Sequence, residues 1–484
     1  MKIAFLSAEC VPFIKAGGLG DVVGSLPKAL ASSGVKPVIF LPLNKNVNIK
    51  KWQVKKIKKF KVAYDKKVES VEIFKTTLPN SHVPVYFLSN QKYFNKEEVY
   101  SGGLKKFLFY SLASLEAMKI LKFKPDVIHC HDHQVGLTKN IIDSTYKSDK
   151  FFKDVKTLFT IHNLNYQGKQ KPTILAKVDH DIDKLAPVVN DLKDGDINFM
   201  VQGILSADKI TTVSPTYAKE ILKKEFGVGL ENILKKRKRD LAGILNGIDM
   251  ELFNPATDNN LKFNYEIKKQ ESKKTRKQID VSKILSVKEG KQKNKACLQK
   301  KFGLPIDENK PLVGFVSRIV WQKGIDLISE EVVKNSDCQF IILGTGEERY
   351  HKHLRKLAKK YPDKFSAQIK FSVEIAQQIY GASDIFLVPS RYEPCGLTQM
   401  IAMRYGSVPV VRATGGLKDT VTVKQGFIFK KFTSKDLQKL LQKALNLYYN
   451  KPKKWLKLQK NGMKKDFSWD KSAKDYVKLY RKLI

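Results

Sequence analysis

The chain has 484 residues, 42% of them hydrophobic; it is too long for one compact core and carries enough apolar material to fill two. Its formal net charge is +41, and because the first arginine is Arg237, the excess over the first half is all lysine. No apolar run reaches the roughly 18 residues of a membrane-spanning helix, and five scattered cysteines without C-x-x-C spacing argue against a disulfide framework or a zinc ribbon.

A lysine-biased surface accounts for the charge. Attraction to a polyanion is the alternative reading. Nucleic-acid readers lean on arginine for bidentate and stacking contacts, and no nucleic-acid motif is present, so neither a nucleic-acid nor a membrane partner is expected. The N-terminus begins directly on a strand pattern, which argues against a targeting peptide and for a cytoplasmic protein.

Met1–Ser7 reads as a short buried strand. A bend follows at Pro12, and then Lys15-Ala16-Gly17-Gly18-Leu19-Gly20-Asp21. Glycines let backbone N–H groups approach an anion, a helix start adds its positive end, and Lys15 adds a full charge, so this stretch reads as a phosphate cradle. Residues 1–250 then alternate strand-like runs with helical patterns: Val38–Leu41, Val85–Leu88, Asp126–His129, Thr157–Ile161, Ile210–Val213 and Gly243–Leu245.

A second series runs through Leu312–Val316, Phe340–Leu343, Ile385–Val388, Val408–Val411 and Gly426–Phe429, within a domain of residues 251–465. Between the series lies a charged insert at about 259–301, typified by Lys268–Lys274 and expected as an exposed, linker-like helical segment. Asp466-Phe467-Ser468-Trp469 opens a last amphipathic helix (466–484), with Tyr476, Leu479 and Tyr480 on one face, expected to pack back toward the N-terminal domain. Ligands bind outside the carboxyl ends of doubly wound sheets, so a cleft between two such domains is the expected active site.

The second domain supplies a matching half-site. Arg318 and Lys323 follow its first strand, placed to reach a diphosphate. Pro389–Gln399 and Thr414-Gly415-Gly416-Leu417 follow later strands, with Glu393 expected to point into the cleft.

The ordered set Lys15-x-Gly-Gly-Leu, His162-Asn163-Leu164, Arg318/Lys323 and Glu393-Pro394-Cys395-Gly396-Leu397-Thr398-Gln399 resembles bacterial glycogen synthase and plant starch synthase. These are retaining glycosyltransferases of the GT-B fold, an α/β architecture of two doubly wound Rossmann-like domains facing across a cleft. The resemblance runs nearly end to end, through Tyr166-Gln167-Gly168, Val213–Ala218, Leu245-Asn246-Gly247-Ile248-Asp249 and Phe467-Ser468-Trp469. It implies a hexosyltransferase that moves glucose from ADP-glucose to an α-1,4-glucan such as glycogen, with no cofactor and no metal. The clamp on the donor would complete as the cleft closes.

Carried onto matching positions, Glu393, His162 and Asp132 would be catalytic. Lys15, Gly17, Gly18, Asn246, Arg318, Lys323, Phe371, Cys395, Gly396, Leu397, Thr398, Thr414, Gly415 and Gly416 would bind ADP-glucose, with Phe371 stacking on adenine. His133-Gln134 stands where the family carries Trp-His, Val201-Gln202 where it carries Lys and a small residue, and Lys105-Lys106 where it carries an acidic residue and Arg. A UDP-glucose donor, another acceptor, or a simple polyanion-binding role are the alternatives; the sequence is silent on oligomeric state.

Two patterns invite a metal. His129, His131 and His133 would share one face of a strand, but the spacing misses that of metallo-hydrolases by one residue. Asp181-Ile182-Asp183 and Asp194-Gly195-Asp196 look like a metal-binding Asp-x-Asp, yet lie in a polar stretch and read as solvated loop charges.

Overall fold

The computed structural model describes residues 1–178, 181–267 and 284–484. The chain divides into two compact units, Met1–Gly247 with Trp469–Ile484, and Ile248–Ser468.

In chain order the strands of the first unit are β1 (Lys2–Leu6), β2 (Lys36–Pro42), β3 (Lys55–Tyr64), β4 (Lys67–Thr77), β5 (Pro84–Ser89), β6 (Val127–His131), β7 (Lys156–Ile161), β8 (Lys169–Gln170), β9 (Ile197–Asn198), β10 (Lys209–Thr212) and β11 (Leu241–Gly243). Nine of them form one sheet in the order β11-β10-β7-β6-β1-β2-β5-β4-β3. β11 through β5 pair in parallel; β4 and β3 add an antiparallel edge.

Continuous apolar strands suit a sheet buried on both faces. Ile3 and Phe5 of β1 enter one core cluster, while Ala4 and Leu6 enter the other. The last helix, Trp469–Leu483, packs against helix Gly18–Ser32, and Trp469, Tyr476 and Tyr480 complete the cluster around Ile3 and Phe5.

The second unit contains β12 (Tyr265–Glu266), β13 (Leu285–Ser286), β14 (Leu312–Val316), β15 (Gln339–Leu343), β16 (Phe365–Gln368), β17 (Ile385–Val388), β18 (Val408–Arg412) and β19 (Phe427–Phe429). Its six-stranded sheet is parallel throughout, in the order β16-β15-β14-β17-β18-β19. That is the doubly wound order in which the first strand of the series lies beside the fourth.

The insert departs from expectation. Lys268–Lys274 lies outside the described residues, but Val287–Lys301 is a packed helix rather than an exposed linker. It opens with a capping box between Ser286 and Glu289. Its Lys291 Nζ reaches the carbonyls of Gly381 and Tyr405 at 3.1 and 3.0 Å, and Lys295 Nζ bonds Asp384 at 3.0 Å. Lys106 of the first unit is buried too, donating to the Val99 carbonyl at 2.8 Å. Part of the lysine excess is therefore interior, each ammonium capped by oxygens. Burial pulls Lys291 down to about 7 and Lys106 to about 8. Among the described residues, no helix is long and apolar enough to cross a membrane.

Candidate active site

In the first unit the strand order reverses between β1 and β6, and the candidate residues Lys15–Gly18 and Asp132 follow those two strands. Beyond β1, the Lys15–Gly18 loop leads into helix Gly18–Ser32. It is not an open anion cradle. The amides of Ala16 and Gly17 donate to Glu9 Oε2 at 2.5 and 2.7 Å, and the Tyr100 hydroxyl bonds the other oxygen of that carboxylate. Lys15 pairs with Asp21 at 2.8 Å. Glu9 and Tyr100 were missed from sequence; the one signal was an acidic residue, the only charged one, in the Ile3–Cys10 stretch.

Beyond β6, Asp132 takes φ +59°, a region that L side chains rarely adopt. Its Oδ1 accepts from the amides of His162 (2.7 Å) and Asn163 (3.4 Å), which follow β7. The structure thus brings Asp132 and His162 together. Burial pushes the Asp132 carboxyl up to about 7, against those two hydrogen bonds, with the Glu9 charge adding to the rise. Burial drives His162 down to about 3, so its ring is neutral.

The three histidines do not share one site. His129 and His131 are adjacent (ring centroids 4.1 Å), and His131 Nδ1 lies 2.9 Å from His162 Nε2. His129 is held at both nitrogens, by Thr160 Oγ1 (2.6 Å) and the Tyr480 hydroxyl (2.7 Å) of the last helix. His133 has left the strand for a short turn, its ring against Gly168. The one group of three candidate ligands among the described residues is Asp191, Asp194 and Asp196. Asp196 is paired with Lys169, and Asp191 accepts from Asn198 and Gln202. Asn246, just past β11, is buried with its side-chain oxygen unpaired among the described residues.

In the second unit the order reverses between β14 and β17. Lys323, in the turn Trp321–Lys323 beyond β14, places Nζ 2.6 Å from Glu393 Oε2, in the loop beyond β17. Ser390 Oγ, which sequence reasoning did not single out, donates to the same oxygen at 2.8 Å. The Glu393 side chain is 6% exposed, so the carboxylate is held by two donors with little water.

Gly415 explains how the next loop fits. It has φ +44°, and a Cβ there would lie 1.9 Å from the Glu393 carbonyl oxygen. Only glycine allows that approach. The amide of Gly416 donates to the same carbonyl at 3.0 Å, joining the Thr414–Gly416 and Glu393–Thr398 segments. Cys395 and Thr414 are buried there; Gly396, Leu397 and Thr398 are half-buried. Gln399 ties the segment down through the Gly396 carbonyl (2.7 Å) and Thr420 (3.0 Å). Arg318 is exposed in the loop after β14, and Phe371, after β16, is 76% exposed.

Two Rossmann-like units, each with its candidate residues at a strand-order reversal, have the architecture of the GT-B glycosyltransferases. Residues 2–236 match the starch synthase catalytic domain, and residues 298–464 match the glycosyl transferases group 1 family. The glycogen synthases of Thermosipho melanesiensis and Thermotoga maritima are each 42% identical over 501 aligned positions, spanning 100% of this chain and 99% of theirs. The catalytic domain of starch synthase IV from Arabidopsis thaliana, solved with ADP and acarbose, superposes with a TM-score of 0.88 at 32% identity, covering 99% of this chain and 98% of that one. Sucrose-phosphate synthase from Thermosynechococcus elongatus, at 19% identity and a TM-score of 0.61, shares the fold. The chain belongs to the glycogen synthase family and is a hexosyltransferase.

Proposed function

We propose that this enzyme transfers glucose from ADP-glucose to the non-reducing 4-hydroxyl of an α-1,4-glucan, with retention of configuration. The observation that carries this reading is the buried carboxylate of Glu393, held by Lys323 and Ser390 at the reversal point of a doubly wound sheet. The Arabidopsis relative was solved with a nucleoside diphosphate and an oligosaccharide analogue, the ligand pair this reading assigns here.

Glucosyl transfer passes through an oxocarbenium-like state while ADP departs. Lys15, Arg318 and Lys323 supply cations that neutralise the charge growing on the diphosphate, and the backbone at Gly18 and Gly415 contacts phosphate or glucose hydroxyls alongside Thr398, Thr414, Cys395, Gly396, Leu397 and Asn246, while the Gly17 and Gly416 amides, held by Glu9 and by the Glu393 carbonyl, shape the two loops. Phe371 stacks on adenine. Glu393 lies near the reacting carbon, and its negative charge favours the positive charge developing there.

Glycoside hydrolases need a second carboxyl group to protonate an alkoxide. A diphosphate leaves without one. The C1–phosphate bond breaks, the glucan O4–C1 bond forms on the same face, and the 4-hydroxyl proton passes to the departing phosphate oxygen. Neutral His162 suits a place against the sugar, since an imidazolium would repel the nascent cation.

The test offers purified protein a glycogen primer with either ADP- or UDP-glucose. Incorporation from ADP-glucose, at a kcat/KM well above that from UDP-glucose, is expected. Incorporation from neither donor would defeat the reading, and preference for UDP-glucose would reassign the base.

A further inference from the structure

His131 is an apolar-strand histidine that the mechanism above does not use, and it sits one hydrogen bond from a ring that it does. Both rings are neutral. Phe5 stacks on His131 at 5.5 Å and His129 lies against it at 4.1 Å, so the His131 ring is walled by other rings. Burial depresses the basicity of both His131 and His162. Two neutral imidazoles 2.9 Å apart share one proton between them, and it belongs to one ring.

The other nitrogen of His131 decides which. Nε2 is fully buried and has no hydrogen-bond partner among the described residues. If His162 Nε2–H donated to His131, the His131 proton would sit on that Nε2 as an N–H donor with nothing to receive it. If His131 Nδ1–H donates instead, Nε2 is a bare acceptor. Orphaned buried N–H groups are the rarer and costlier case. His129 next door shows the contrast, being satisfied at both ring nitrogens.

We infer that His131 is a positioning residue that fixes the His162 tautomer: it donates Nδ1–H to His162 Nε2, leaving His162 with its proton on Nδ1 as a hydrogen-bond donor for a sugar hydroxyl oxygen. The backbone end of His162 is held separately, by Asp132 through the amide. His131 therefore governs the orientation and polarity of the ring, and Asp132 its anchorage. The sugar contact rests on the function proposed above; the tautomer does not.

Two substitutions separate polarity from packing. His131→Leu keeps much of the volume against Phe5 and removes the donor. His131→Asn places an amide nitrogen where Nδ1 stands, so the donor survives and the orphaned Nε2 disappears. With ADP-glucose and glycogen, His131→Leu is expected to lower kcat at least tenfold, with the donor KM changed less than about threefold. His131→Asn is expected to recover kcat to within about threefold of the parent. An Asn variant as impaired as Leu, or a Leu variant with parental kcat, would overturn the assignment.

Neutron diffraction from the deuterated parent protein reads the tautomer directly and needs neither variant to fold nor any activity. Deuterium on His162 Nδ1 and His131 Nδ1 is expected. Deuterium on His162 Nε2 would refute the inference even if the enzyme proved a glucosyltransferase, whereas an enzyme inactive with both donors yet carrying the expected tautomer would refute the function alone.

Discussion

Replacing Asp132 by Asn should make the first unit more stable at alkaline pH and leave it no more stable in acid. Burial lifts the Asp132 carboxyl from its ordinary 3.8 to about 7. The unfolded chain loses this proton near pH 4 and the folded chain near pH 7, so between those values the folded state binds more protons and stability falls as pH rises. At about 1.4 kcal/mol per pH unit, the full cost of ionisation is roughly 4 kcal/mol above pH 7. The Asn oxygen can still accept from the His162 and Asn163 amides, but its new N–H₂ group needs a partner, and an unmet donor offsets about 1–3 kcal/mol. A net gain of about 2 kcal/mol at pH 8 corresponds to a shift of roughly 4–8 °C for a unit of this size. Thermal melting of parent and variant at pH 4.5, 6 and 8 measures the difference. It should be positive at pH 8, shrink through pH 6 and reach zero or below at pH 4.5. A difference independent of pH would refute a buried, costly carboxylate at Asp132. Activity should fall in the variant at the same time, because strain and buried charge retained at a site signal function over stability.

Other substitutions probe the second unit and the last helix. Glu393→Ala should reduce kcat by two to three orders of magnitude with the donor KM unchanged or lower, because Lys323 loses the carboxylate that competes with phosphate for it; a raised KM with parental kcat would remove Glu393 from the chemistry. Gly415→Ala puts a methyl 1.9 Å from the Glu393 carbonyl oxygen at φ +44°, so it should abolish detectable transfer and lower the melting temperature of the second unit; a parental melt and parental activity together would refute that packing. Tyr480→Phe strips the hydroxyl from buried His129 Nδ1 and should destabilise the first unit by about 1–3 kcal/mol, read as a lower urea midpoint at unchanged m-value.

The parallel strands were legible in the sequence because each is a bounded run of apolar residues, buried on both faces. β14 and β17 coincide with the runs Leu312–Val316 and Ile385–Val388. The β3–β4 hairpin was not read. Its apolar residues Phe60, Val62, Tyr64, Val71 and Ile73 do alternate, but the seven lysines from Lys55 to Lys67 crowd β3 and the start of β4, and the edge strand looked like one more charged stretch. The buried helix Val287–Lys301 was misread for a related reason: Lys291 and Lys295 are charged in composition and interior in fact, a reversal visible only once the carbonyls of Gly381 and Tyr405 converge on them.

The loops were legible as motifs but not as geometry. Lys15–Gly18 announced an anion site, while the carboxylate that fills its amides comes from Glu9 through a turn that no periodicity encodes. The meeting of His131 with His162 depends on the register of β6 against β7, which sets His131 beside Thr160 and so delivers His162 two residues later.

The two reversal points differ in their electrostatics. Around β6 the structure suppresses charge: Asp132 holds its proton to about 7, and His129, His131 and His162 are neutral by burial. Around β17 it keeps charge, since Lys323 and Glu393 sit 2.6 Å apart with a hydroxyl on the same oxygen. The proposed reaction, which separates an anionic diphosphate from a cationic sugar ring, has a use for each kind of environment. Fixed cations must meet the leaving group, whereas cations beside the sugar would raise the barrier at the moment positive charge appears there. A buried neutral imidazole resists becoming that cation better than an exposed one would. On this argument, the desolvation that costs stability at Asp132 is the same desolvation that keeps His162 uncharged, so relieving one by opening the site to water should compromise the other.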